Sequence, residues 1–301
     1  MKNKTFIADA SLLLVAILWG FSFTLCKNVL SLVSPFYMLF FRFIIGFIFL
    51  SIIFHKKYKL LNLKILKQGI ILGVFLFAGF AFQTVGLVYT TVSNNAFLTA
   101  IYVIIVPFLY WFIHKEKPNF SLFIACILCI TGIGILTLNN GIISINLGDF
   151  LTILCAIFFA LQIAFLGPFT KDADPILLTI IQFATNAILA FIFNLFNGYP
   201  KLIPSNDSIW QLLYIAIFAT ILAFLIQNIA QRYTKSTHAA LILSTESLFG
   251  TIFASIFINE AITTKTIIGF CFIFVSIILT EIELPFISGI NSKIKSHFIN
   301  K

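Results

Sequence analysis

Charge is what this 301-residue chain has least of: 19 Lys and Arg, 10 Asp and Glu, 10% of all residues, against about 25% in an ordinary soluble domain. A surface so poor in charge cannot hold a globule of this size in water. Cysteine is also sparse, with five residues. Cys126 and Cys129 form the only C-x-x-C, and with no His or further Cys nearby they read as packing residues rather than a metal set. No G-x-x-x-x-G-K-[ST] loop is present to cradle a nucleotide. A membrane-embedded protease or prenyl transferase would need a Ser-His pair, two deep carboxylates or an Asp-rich diphosphate site. Here Glu246 is the only deep carboxylate, and His55, His114, His238 and His297 fall at or beyond the ends of apolar runs. Neither an enzyme nor a cofactor is expected.

What fills the chain instead is apolar: 60% hydrophobic residues, 38 Phe and a mean hydropathy of +1.09. A membrane-spanning helix takes roughly 20 apolar residues. Ten such runs follow one another at approximately 8–28, 35–54, 66–88, 92–113, 121–139, 149–168, 175–195, 209–231, 236–258 and 265–284. The expected fold is therefore an all-α integral membrane protein of ten transmembrane helices. The abundant Phe reads as lipid-facing filler. Lys2 and Lys4 precede the first run without a small-residue cleavage site after it, so that run counts as a retained span.

The net charge of +9 is no nucleic-acid footprint, because the basic residues gather in alternate loops. With both termini cytoplasmic, fifteen of the nineteen fall in inside segments, among them Lys56, Lys57, Lys59, Lys64, Lys67, Lys171, Arg232 and Lys235. Only Lys27, Lys201 and Lys265 fall outside, and Arg42 lies within a span. This bias orients the chain.

A gapless internal alignment adds to the pattern. Gln83 to Glu116 runs against Gln227 to Glu260 at an offset of 144, so that Gln83, Tyr89, Thr90, Ala96 and Glu116 recur as Gln227, Tyr233, Thr234, Ala240 and Glu260. Upstream the offset is 140, pairing Asp9, Leu14, Ala16, Pro35 and Phe43 with Asp149, Leu154, Ala156, Pro175 and Phe183. Five spans per half turn the second half upside down. The expected organisation is two inverted five-helix repeats, residues 1–144 and 145–288, with a basic cytoplasmic tail at 289–301. Inverted repeats are typical of secondary transporters.

Polar residues inside spans cost free energy, about 2.5–3.5 kcal/mol for a charge at a helix centre on insertion scales. Glu246 lies near the midplane of the ninth span and Arg42 about seven residues into the second. The repeat pairs such positions: Ser22 with Gln162, Arg42 with Gln182, Gln83 with Gln227, Asn94 with His238, Tyr102 with Glu246. Two-fold placement around one cavity accounts for this. Trp19, Ser22, Arg42, Tyr102, Gln162 and Glu246 are the candidate substrate contacts, and Gln83, Asn94, Asn95, Gln182, Gln227 and His238 the candidate pathway lining. Plainer roles stand beside these: a structural ion pair for Arg42 and Glu246, interhelical hydrogen bonds for Gln83 and Gln227, a wet interfacial site for His238, packing for Trp19. Glu116 and Glu260 read as helix anchors or caps. A structural subunit would need no polar interior, and the paired polar positions argue against one.

The run WGFSFTLCK (Trp19 to Lys27), Pro35, FFRF around Arg42, YTTVSNNAFLTAIYVIIVPFLYWFIHKEKP, and YTKSTHAALILSTES followed by Asn259 and Glu260 together resemble the EamA-type transporters of the drug/metabolite transporter superfamily. The resemblance covers nearly the whole chain. It implies a central cavity formed by helices 1 to 4 and 6 to 9, peripheral fifth and tenth helices, and characteristic positions at Trp19, Lys27, Arg42 and Glu246. Ser247 departs from it, standing where many relatives have Pro, so no family kink can be inferred there. The implied function is a secondary active transporter in a bacterial cytoplasmic (inner) membrane, exporting amino acids or related metabolites. Uptake of metabolites and export of multiple drugs are the alternatives. Its expected partners are a small-molecule substrate, protons as coupling ion, and the lipid bilayer, in a monomer or homodimer.

Overall fold

The computed structural model describes residues 2–114, 120–139, 142–143, 146–196 and 206–279. Nearly all of them are helical. In chain order these are α1 (Lys2–Val29), α2 (Pro35–Ile53), α3 (Leu63–Tyr89), α4 (Val92–Thr99), α5 (Tyr102–His114), α6 (Phe120–Thr137) and α7 (Leu147–Asp172). There follow α8 (Pro175–Phe196), α9 (Asn206–Ala216), α10 (Ala223–Ala230), α11 (Ser236–Ser244), α12 (Glu246–Phe257) and α13 (Thr264–Leu279). The α4–α5 and α11–α12 pairs each make one broken span. The α9–α10 pair makes another, joined by a π-helical stretch, Ile217–Leu222. Eight segments are long and apolar enough to cross a membrane, and Ser121–Leu136 and Thr264–Leu279 are shorter apolar helices. The ten expected runs are thus ten helical segments. A two-residue antiparallel ladder, Leu138–Asn139 with Ile142–Ile143, joins the fifth segment to the sixth. The tail at 289–301 and the Lys115–Lys117 stretch with Glu116 lie outside the described residues.

Helix starts are written in short polar residues. Asn62 Oδ1 accepts from Ile65 N–H, Thr91 Oγ1 from Asn94 N–H and Asn146 Oδ1 from Asp149 N–H, each relieving one of the orphan donors of a first turn. Ser34 does the same for Tyr37 ahead of Pro35. The sixth span runs past Pro168 to Asp172, four residues beyond the expected end. There Lys64 and Lys57 pair with Asp172 and Asp174 and tie the α7–α8 junction to the first turn of α3 and to the loop after α2.

The two halves interlock instead of lying side by side. α3 packs along α7 and α8, α2 along α8, and α1 along α12. α6 and α13 pack chiefly on each other at the periphery, with Gly132 and Gly269 at their crossing. Large apolar side chains such as Phe112, Phe196 and Trp210 face outward, as lipid contact requires. Small residues permit the close crossings, a common device where lipid supplies no hydrophobic drive between helices. A Cβ on Gly20 of α1 would sit 2.5 Å from Phe249 Cβ and 2.9 Å from the Gly250 nitrogen of α12. Gly20→Val is therefore expected to destabilise the fold by about 1–3 kcal/mol or more through overpacking, read as a lowered melting temperature of the purified protein in detergent, whereas Gly134→Ala, which meets open space, should leave it unchanged.

Candidate functional site

Three departures from regular helix build the centre of the molecule. The first is the π-helical stretch Ile217–Leu222 in the eighth span. Its looser turn leaves the Ala219 carbonyl free to accept from Trp19 Nε1 at 2.9 Å and Arg42 Nη2 at 3.3 Å. Thr220 Oγ1 accepts from Arg42 Nε at 2.7 Å while donating to Ile215 O. Such turns recur at functional sites. A guanidinium that stays charged at this depth is thereby given acceptors, and Phe80 lies under it with its ring centroid 4.5 Å from Cζ.

The second and third departures are the breaks in the fourth and ninth spans. α4 ends at Thr99 and α5 opens at Tyr102, and α11 ends at Ser244 and α12 opens at Glu246. Around each junction the bonds tighten to i→i+3, as in Val103 N–H to Ala100 O and Leu248 N–H to Thr245 O. The break in the ninth span needs no proline. Ser244, Thr245 and Ser247 each turn a hydroxyl back onto a carbonyl three residues upstream, a recognised cause of helix bending. Tyr102 and Glu246, repeat mates, consequently each sit at the N-terminus of a half-helix in the interior.

Between these elements lies a cavity of ≈ 40 Å³. It is lined by Trp19, Ser22, Phe23, Cys26, Arg42, Leu76, Phe80, Gln83, Thr84, Leu87, Tyr102, Phe159, Gln162, Ile163, Phe224, Gln227 and Glu246. All six candidate substrate contacts are among them, with Gln83 and Gln227 from the pathway set. Arg42 and Glu246 share the cavity but form no ion pair; the polar partners of Arg42 are Thr220 and Ala219. The Glu246 carboxyl faces the Tyr102 hydroxyl, which has no well-aligned hydrogen-bond partner among the described residues, and neither has Gln227 Oε1. These groups are left for water or a ligand.

The other candidates stand elsewhere. Gln182 is fully buried one layer behind, where its Oε1 accepts from Gln162 Nε2 at 3.1 Å. The seventh span, α8, consequently contributes nothing to the lining among the described residues, although the resemblance implies that it should. Asn95 is buried and donates to the Gln83 carbonyl and to Thr152 Oγ1. Asn94 lies in the first turn of α4, its N–H held by Thr91. His238 is part-exposed and pairs with Asp9 at 3.3 Å, in keeping with the interfacial role weighed for it.

Glu260 has a defined task. Asn259 adopts a left-handed conformation, φ 52°, which short polar side chains tolerate, and the Glu260 N–H turns back to the Ala254 carbonyl. The Glu260 carboxylate then accepts from Val92 N–H at 2.9 Å and Ser93 N–H at 3.1 Å, capping α4. Lys27 Nζ donates to the Leu87 and Thr90 carbonyls at the end of α3, at 2.7 and 2.9 Å. The α3–α4 turn is thus held by an anion on its positive side and a cation on its negative side.

Missed by sequence reasoning were the π turn with Thr220, and the aromatic wall of Phe80, Phe159 and Phe224. The wall was within reach, since the repeat offsets that paired polar residues also pair Trp19 with Phe159, Phe23 with Ile163 and Phe80 with Phe224. The π turn left no comparable mark.

Ten apolar helical segments around a buried cavity lined by aromatic and polar side chains define the class: a multi-span membrane transporter. The chain belongs to the EamA-like transporter family, whose sequence profile matches it twice, at residues 6–138 and 146–282. Two relatives from Archaeoglobus fulgidus, both described as uncharacterized transporters, are similar to it. One is 33% identical over 281 residues, spanning 93% of this chain and 88% of its own. The other is 26% identical over 283 residues, spanning 89% and 94%. A solved crystal structure at 14% identity shares the fold with a TM-score of 0.68, covering 93% of this chain and 97% of that one. For the Glu260 cap, Glu260→Ala is expected to lower stability by about 0.5–2 kcal/mol, seen as a reduced melting temperature in detergent, with Glu260→Gln falling between the variant and the parent.

Proposed function

We propose that the chain is a secondary transporter that exports amino acids or related small metabolites across the cytoplasmic membrane by alternating access, with both termini on the cytoplasmic side. The two halves, 1–144 and 145–288, act as inverted repeats, and Trp19, Ser22, Arg42, Tyr102, Gln162 and Glu246 contact the substrate. One observation carries the reading. The cavity is lined by repeat mates from both halves, Trp19 with Phe159, Ser22 with Gln162, Phe23 with Ile163, Phe80 with Phe224, Gln83 with Gln227 and Tyr102 with Glu246, so each half contributes an equivalent wall to one site. At ≈ 40 Å³ the cavity holds a few waters, given roughly 10–15 Å³ as the minimum for one. Ligand sites run to about 300–1,000 Å³. Substrate therefore enters only when the lining helices part, which is the motion alternating access requires.

A zwitterion suits two opposite charges that share a cavity without pairing. Arg42 offers a planar donor fork to a carboxylate, and Glu246 attracts an ammonium group or carries the coupling proton. A second reading, export of hydrophobic cations, draws on the fact that Arg42 is already engaged by Thr220 and Ala219, while Glu246, beside the Tyr102 hydroxyl, forms no ion pair and shares the cavity with Phe80, Phe159 and Phe224.

The test is uptake into proteoliposomes of a panel of amino acids, other small acids and quaternary ammonium compounds, with and without an imposed pH gradient. Amino acids should move, and faster with the gradient. Glu246→Gln keeps shape but cannot titrate, and should remove the gradient-driven component while leaving insertion intact. Arg42→Lys should slow carboxylated substrates by about tenfold or more, because an ammonium loses the fork geometry. Wild-type rates and pH dependence in both variants would reduce the two charges to structural roles, and movement of quaternary ammonium compounds alone would favour the second reading.

A further inference from the structure

The repeat makes the two ends of the molecule comparable, and they differ at one place. On the α3–α4 side Lys27 covers the Leu87 and Thr90 carbonyls and Glu260 covers the first N–H groups of α4. The mates of those positions lie at the α10–α11 junction: Gly167 for Lys27, Gln231 for Leu87 and Ser236 for Val92, while Glu116, the mate of Glu260, lies outside the described residues. There the lysine is missing, and Gly167 lets α7 approach so closely that a Cβ would fall 2.4 Å from Ser236 Oγ. A cleft of ≈ 230 Å³ opens instead, lined by Lys171, Gln231, Arg232, Lys235 and Ser236 among others.

Three observations agree on what the cleft would hold. α11, nine residues long, starts in it with no side-chain cap among the described residues, and the N–H groups of Ser236, Thr237 and His238 precede its first intrahelical bond, from Ala239 N–H to Lys235 O. Gln231 is 1% exposed, and neither its amide nitrogen nor its amide oxygen has a partner among the described residues. Lys171, Arg232 and Lys235 are exposed and form no ion pair among the described residues. Helix N-termini flanked by cations and a free amide donor are suited to oxyanions, and Glu260 shows what the equivalent N-terminus on the other side accepts. We propose that the α10–α11 cleft is a binding site for an oxyanion of the phosphate or carboxylate class, held by the first turn of α11, Gln231, Arg232 and Lys171. The site is separate from the central cavity, and the proposal stands whatever the transporter carries.

Purified full-length protein in detergent is titrated with inorganic phosphate, and separately with acetate, against chloride at matched ionic strength, while its melting temperature is followed. A ligand that binds only the folded state raises it in a saturable way. Saturable stabilisation is expected, with affinity weakened by about tenfold or more in Arg232→Gln and Lys171→Gln and unchanged in Lys59→Gln, which does not line the cleft. Gln231→Leu tests the buried amide, and because the two surface variants leave the core untouched they decide the matter even should that one fold poorly. To separate sources, native mass spectrometry from nanodiscs with and without phosphatidylglycerol asks whether an anionic lipid is retained through Arg232. Retention lost in Arg232→Gln assigns the oxyanion to a lipid headgroup, and no retention with intact phosphate binding assigns it to a free anion. Two results would overturn the proposal: equal phosphate response in wild type and Arg232→Gln, or binding that emerges only in Glu116→Gln, which would make the chain's own carboxylate the occupant.

Discussion

A bilayer interior has no water to share, so each polar group placed there must be answered by another part of the protein. Arg42 states that constraint most sharply. Its guanidinium cannot shed its charge, and the chain meets the demand by unwinding one turn of the eighth span, so that a carbonyl and a threonine hydroxyl face it. The same π turn anchors Trp19 through Ala219. Much of the cavity wall, with Trp19 against Phe224 at 5.0 Å and Phe80 against both Phe224 and Phe159, is arranged around that accommodation.

The breaks at Tyr102 and Glu246 obey the same logic. Irregular backbone is tolerated at membrane depth where it lines a cavity or is buried in protein. Broken helices also supply pivots, because a turn already shortened to i→i+3 bonds loses less when it flexes than a regular one.

Pseudo-symmetry is equally informative where it fails. Arg42 and Gln182 occupy matching positions, yet one lines the cavity and the other supports Gln162 from behind. Lys27 fills a helix end that Gly167 leaves open. Each difference gives equivalent positions of the two halves distinct chemistry.

The sequence by itself determined the membrane class, the ten apolar segments and the cluster of Trp19, Ser22, Arg42, Tyr102, Gln162 and Glu246, because hydropathy and burial cost are local properties and the offsets of 140 and 144 carry one half's geometry into the other. Glu260 reads as a helix anchor or cap, but its place just beyond α12 does not reveal that the helix it caps is α4. Only the tertiary structure decided which partners answer each charge. The π turn that holds Arg42, the separation of Arg42 from Glu246, and the retreat of Gln182, Asn95 and His238 from the cavity depend on how helices distant in sequence rotate against one another. Side-chain direction on a helix shifts by about 100° per residue, so a small rotation set by packing at Gly20, or by the hydroxyls at Ser244 to Ser247, decides whether a polar residue faces the cavity, a neighbouring helix or the membrane surface. Hydropathy is blind to that rotation.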